Sequence, residues 1–129
     1  MTVTPIDLFA SFIHLRQDGH VHAEQPVFDP ERDGWQLMAF HVETDADVHA
    51  DHWEVHPDAD ELVACLTGRI RLRFRPERPG EEQERIELTA GTAVIVPRGR
   101  WHRITLDTAG DIMSVTLPRG SRLEKRTEG

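Results

Sequence analysis

The sequence has one cysteine, no apolar run near the length of a membrane span, and few basic residues relative to acidic ones. A single cysteine closes no intrachain disulfide, which suits a reducing compartment, so a cytoplasmic protein is expected. A membrane helix needs about 18 or more consecutive apolar residues, so no membrane association is expected. The opening residues, MTVTPIDLFA, lack the basic region and the long apolar region of a secretion signal. Lys and Arg total 15 against 23 Asp and Glu, a net charge of −8. That acidity argues against nucleic acid and against anionic membrane surfaces as partners. Residues 33–68 hold no Lys or Arg at all, but nine acidic residues and four histidines. A negative local potential of that kind attracts cations, although most such acidic stretches are solvated loops.

What is present fits one domain spanning residues 1–129, of the commonest domain size. The apolar residues are 38%, and nine glycines bring the share to about 45%, enough for a packed core. Histidine stands out at eight, seven of them within residues 14–56 and then only His102. Histidine is the commonest metal ligand and titrates near neutral pH.

Thr4-Pro5-Ile6-Asp7 reads as a helix start, with Ile6, Phe9, Ala10 and Ile13 at helical spacing, so a short helix over residues 5–15 is expected. After residue 19 the pattern changes to period two. Strands are expected near 35–43, 50–56, 61–66, 69–75, 83–89, 92–97, 101–107 and 111–117. In the clearest of them, Arg69, Arg71, Arg73 and Arg75 alternate with Ile70, Leu72 and Phe74, one face wet and one buried. Leu66-Thr67-Gly68-Arg69 reads as a tight hairpin, and the polar tail from Pro118 onward as frayed or loosely docked. About eight short strands at this spacing point to an all-β sandwich or barrel rather than βαβ units.

Ligand-type side chains are densest in His52-Trp53-Glu54-Val55-His56-Pro57-Asp58-Ala59-Asp60-Glu61. On a strand, residues 52, 54 and 56 share one face at steps of about 6.6 Å. Pro57-Asp58-Ala59 turns the chain and brings Glu61 back beside His56. Imidazoles and carboxylates converging in this way suit a borderline divalent metal, Fe, Mn, Ni, Zn or Co. The second piece is Gly91 to His102. A buried strand ends at Pro97, Val96-Pro97-Arg98-Gly99 fits a turn, and the reversed chain delivers His102 with the parity of Ile104 and Leu106, facing inward.

With these residues in place, the chain resembles a cupin of the small, single-domain, cupin-2 type. The first cupin motif runs G-x5-H-x-H-x(3,4)-E-x6-G and the second G-x5-P-x-G-x2-H-x3-N. Here His56, Glu61 and Gly68 match the first, and Gly91, Pro97, Gly99 and His102 match the second. Three positions depart from it. Glu54 replaces the first histidine, Val48 the first glycine and Leu106 the final asparagine. The resemblance implies a double-stranded β-helix (jelly-roll) barrel with its conserved core about 35–117. It also implies metal ligation by His56, Glu61 and His102, with Glu54 in the missing place, or His52 if the register shifts. An oxygen ligand at 54 moves the preference toward harder metals such as Mn or Fe.

The function implied is a metal-binding cupin, as an enzyme an oxygenase, isomerase or decarboxylase acting on a small organic molecule. The alternatives are a non-catalytic small-ligand or sensor barrel and a metal-free, epimerase-like cupin in which a His–carboxylate pair moves protons. Homodimerisation is also implied. His14, His20, His22, His41 and His49 are expected to be surface or structural, and Cys65 to be a small buried hydrophobe.

Overall fold

The amino-terminal stretch is not a helix. In the computed structural model, which describes residues 2–127, Leu8 and Phe9 form a turn, and residues 12–15 form the first strand, β1 (Phe12–Leu15). Asp7 Oδ1 accepts the Phe9 amide at 3.0 Å, a local bond that competes with helix formation. The helical face has nothing to bury against: Ile6 and Phe9 are half exposed. Phe12–Leu15 instead pairs on both sides, with β2 (Val21–Glu24) and β3 (Trp35–Val42), so tertiary pairing overrides the local signal.

The remaining strands are β4 (His52–Val55), β5 (Glu61–Phe74), β6 (Glu84–Thr89), β7 (Thr92–Val96), β8 (His102–Thr116) and β9 (Arg122–Lys125). Among the described residues every strand pairing is antiparallel. β5 and β8 correct two expectations. The tight hairpin at residues 66–69 does not form, and neither does a break between 107 and 111. Each is one long strand, and the two pair with each other almost throughout. The register shifts at Cys65, Thr67 and Arg69 mark bulges where this ribbon bends. Gly68, at φ 81°, and Gly110 cross there. A Cβ on Gly68 would lie 2.4 Å from the Ala109 carbonyl oxygen, and one on Gly110 would lie 2.1 Å from that of Thr67. Only glycine permits that approach.

The bend sorts the strands into two layers of a jelly-roll barrel. The first half of β5 and the second half of β8 lie with β7, β3, β1 and β2. The second half of β5 and the first half of β8 lie with β6, β4 and β9. Between the layers sits an apolar core of Val42, Val63, Cys65, Ile70, Leu72, Phe74, Leu88, Val96 and Ile112. Each large side chain there contributes about 1.5–3 kcal/mol by leaving water.

The tail is also better ordered than its polarity suggests. Pro118 is fully buried, the Gly120 amide donates to the Pro30 carbonyl, and β9 pairs with β4. β4 would otherwise present an open edge. Every residue of β9 is exposed, so no alternation of buried and wet positions betrays it in the sequence. On the outer face, Arg69 and Arg71 pair with Glu87, Arg71 also with Asp107, and Arg75 with Glu124.

Candidate metal centre

The two layers converge on one group of side chains. Glu54 lies on β4 directly opposite His102, the first residue of β8. His56 follows the end of β4, and Glu61 opens β5 in the other layer. Two loop contacts set this arrangement: the Gly99 amide donates to the His56 carbonyl at 3.0 Å, and the Arg98 amide to Asp60 Oδ1 at 2.8 Å. The turn that delivers His102 runs one residue later than the spacing suggests. The Arg100 amide bonds back to the Pro97 carbonyl, and Gly99, at φ 77°, takes its third position.

One ligand atom from each of Glu54, His56, Glu61 and His102 lies within 4.8 Å of the other three, so the group could hold a metal ion. His56 Nε2 is 3.1 Å from Glu61 Oε2 and 3.4 Å from Glu54 Oε1. His102 Nε2 is 3.1 Å from Glu61 Oε1 and 3.8 Å from Glu54 Oε1. The side chains of His56, Glu61 and His102 are 4%, 6% and 3% exposed, whereas that of Glu54 is 36% exposed and reaches the open side. His56 Nε2 is buried and, despite its two close carboxylates, aligned with neither as a hydrogen bond. A nitrogen placed in that way fits a cation better than a proton shared with one oxygen.

A surrounding set of contacts orients the group. Ser121 Oγ lies 2.7 Å from His56 Nδ1, the His102 Nδ1–H donates to the Arg100 carbonyl at 3.0 Å, and the Thr116 hydroxyl donates to Glu61 Oε2 at 2.6 Å. These contacts turn both Nε2 atoms inward, as ligating imidazoles require. Ser121 was invisible to motif reasoning because it lies on the polar tail. Burial opposes charge on His56, but the facing Glu54 and Glu61 carboxylates outweigh it and raise its pKa to about 10. Burial likewise opposes charge on Glu61, yet its two imidazole partners hold its pKa down, to about 2. His102 is raised by Glu61 against the same burial penalty.

His52 does not enter the group. Its ring lines the adjacent cavity, and its Nδ1 lies 2.9 Å from Asp51 Oδ1. The cavity, about 670 Å³, has Phe12, Phe28, Met38, Phe40, Val48 and Leu123 among its walls and the four-residue group on its lining. Trp53 and Trp101 do not line it. Trp53 is buried beneath the Arg103 guanidinium, and Trp101 is flanked by Arg75 and Arg122.

The family profile described as Cupin domain matches residues 39–117, more than half of the chain. The chain belongs to the cupin family. Solved structures agree. The cupin aligns with a double-stranded β-helix protein from Klebsiella pneumoniae at 17% identity and TM-score 0.56, covering 74% of this chain and 79% of that one. It aligns with the Co(II) form of HppE in complex with substrate at 20% identity and TM-score 0.51, over 64% of this chain and 44% of that one. It aligns with the oxalate decarboxylase of Bacillus subtilis, which has Mn(II) centres, at 13% identity and TM-score 0.52, over 72% of this chain and 24% of that one. At these identities the likeness establishes the fold. Among curated proteins none matches the chain. No helix among the described residues is long and apolar enough to cross a membrane.

Proposed function

We propose that this cupin binds a divalent transition metal through Glu54, His56, Glu61 and His102 and acts as a metal-dependent enzyme on a small organic molecule held in the adjacent cavity. The observation that carries the reading is the convergence of four ligand atoms within 4.8 Å, with a buried His56 nitrogen facing the two carboxylates. Two imidazoles and two carboxylates suit Fe, Mn, Ni, Zn or Co, and the second carboxylate leans toward Fe and Mn. When bound, such a metal supplies a Lewis acid with positions left open to a ligand from the cavity. The chain's own part is to hold the site and exclude water. His56, Glu61 and His102 form the buried part of the site, Glu54 borders the cavity, and the aromatic and aliphatic walls take the apolar body of a substrate. That two structural neighbours contain Co(II) and Mn(II) is in keeping with oxygenase or decarboxylase chemistry.

A second reading rests on the Glu61 carboxylate, which lies 3.1 Å from both imidazoles. In the metal-free protein the hydrogen-bonded Glu61–His102 pair would move protons, as epimerisation requires. Metal content separates the two. Untagged protein, analysed for elements as purified and after reconstitution, should carry about one equivalent more than a His102→Ala variant treated in the same way. Below about 0.1 equivalent of every transition metal, unchanged on reconstitution, the metal reading fails.

A further inference from the structure

The amino-terminal hairpin gathers a separate set of donor atoms. In the β1–β2 pair His14 lies directly opposite His22, and Glu24, two residues after His22, projects from the same face. The two rings meet edge to face, with centroids 5.1 Å apart. One ligand atom from each of His14, His22 and Glu24 lies within 4.8 Å of the others. His14 and Glu24 are largely buried, their side chains 12% and 22% exposed.

A Cβ on Gly34 would come within 2.4 Å of His14 Nε2, so the absence of a side chain at 34 is what gives that edge of the ring its room. His14 Nδ1 faces the cluster and lies 2.9 Å from the Arg32 Nη2 and 3.9 Å from Glu24 Oε1. A guanidinium only donates, so this Nδ1 is an unprotonated acceptor with its lone pair aimed inward. Arg32 Nη2 donates also to Glu24 Oε2, and His22 Nε2 lies 3.2 Å from that same oxygen. Glu24 Oε1 is buried with no hydrogen-bond partner. An imidazole lone pair and an unpartnered carboxylate oxygen thus face a point beside one cationic nitrogen, and His22 adds a third donor. The guanidinium nitrogen bonds only part of this set. A tetrahedral metal would take one donor from each of the three residues and a water.

We propose that His14, His22 and Glu24 form a second divalent-metal site, of the two-imidazole, one-carboxylate class that zinc and cobalt accept, with Arg32 as the resident cation that the metal displaces. The site does not rest on the cupin centre, with which it shares no residue. Occupied, it would fasten β2, the terminal strand of its layer, to β1, whose Phe12 is a wall of the cavity.

The test is titration of the untagged full chain with Zn²⁺ by calorimetry and with Co²⁺ by its visible absorption. The expected result is two equivalents, one of which His22→Ala abolishes and His102→Ala, placed in the other site, leaves intact. His22 is exposed, so this variant should fold, and circular dichroism checks that it does. Arg32→Met should tighten the same equivalent by about tenfold or more, because a like charge in contact with the ion is removed. Retention of that equivalent in both His22→Ala and Glu24→Gln would overturn the proposal, as would an Arg32→Met variant that binds no tighter than the parent. Failure of the cupin centre alone would appear differently, as a single equivalent insensitive to His102→Ala and lost in His22→Ala.

Discussion

Loading the cupin centre with a divalent metal near pH 7.5 should expel about two protons. The magnitude follows from the partners of the two imidazoles. His102 Nδ1 faces the Arg100 carbonyl at 3.0 Å, and its Nε2 faces Glu61 Oε1 at 3.1 Å. Both neighbours only accept, so both ring nitrogens carry protons and the ring is an imidazolium. His56, with its pKa raised to about 10 by Glu54 and Glu61, is protonated at the same pH. A metal must take the Nε2 lone pair of each, which leaves Nδ1–H on His102 for the carbonyl and Nδ1–H on His56 for the Ser121 oxygen. Removing the His56 proton alone costs about 3 kcal/mol of apparent affinity at that pH, from 1.36 kcal/mol for each unit between pH and pKa. Apparent affinity should therefore climb by up to about 100-fold per pH unit below the lower of the two imidazole pKa values. Calorimetry of metal binding in buffers of different ionisation enthalpy counts the protons directly. A count below about one would refute the protonation scheme, because His102 by itself supplies that much.

Other consequences can be checked with single variants. Ser121→Ala should weaken metal binding by about 10–100-fold, measured by competition with a chelator, while leaving the melting temperature nearly unchanged, since only the orientation of His56 is lost. Glu54→Gln should also lower affinity without unfolding the protein, because Glu54 is partly exposed, and an unchanged dissociation constant would remove it from the ligand set. The metal-free protein should be most heat-stable between about pH 4.5 and 6.5. The raised His56 contributes stability that is whole below about 6.5 and lost toward about 10, and the depressed Glu61 contributes stability that is whole above about 4.5 and lost toward about 2. A melting temperature that is flat from pH 6.5 to 9 would contradict the His56 part. Gly110→Ala should cost about 1–3 kcal/mol or more in urea unfolding, since its Cβ would meet the Thr67 carbonyl oxygen at 2.1 Å.

The convergence of His56, Glu61 and His102 was legible in the sequence because these residues sit at strand ends, where turns fix the spacing. His56 and Glu61 flank one bend, and Pro97 and Gly99 deliver His102. Strand interiors were legible wherever one face is wet, as along Arg69 to Phe74. What misled were positions where local chemistry and tertiary pairing disagree. Gly68 reads as a hairpin glycine, yet it serves a bulge within one long strand. Thr4-Pro5-Ile6-Asp7 carries the residues of a helix cap, but no surface waits for the helix that would follow. β9 was missed because a strand exposed at every residue has no hydrophobic period, and Ser121 because it lies just before that strand in a polar tail. The pairing of His14 with His22 depends on hairpin register, which neither residue signals alone.

The bent ribbon of β5 and β8 has one further consequence. Glu61 belongs to one end of that ribbon, where its carboxylate meets Thr116, and His102 belongs to the other, where it pairs with Phe74. Their 3.1 Å contact therefore closes a loop of backbone on itself, and an ion held between them would act as the clasp of a bracelet whose circumference is set by residue count. The bulges at Cys65–Ile70 are the links that give this bracelet its curvature. Lengthening or shortening the ribbon by a pair of residues there would keep every side chain on its proper face and preserve the core pattern, yet carry Glu61 and His102 out of each other's reach. Site geometry and barrel girth are in this chain a single quantity.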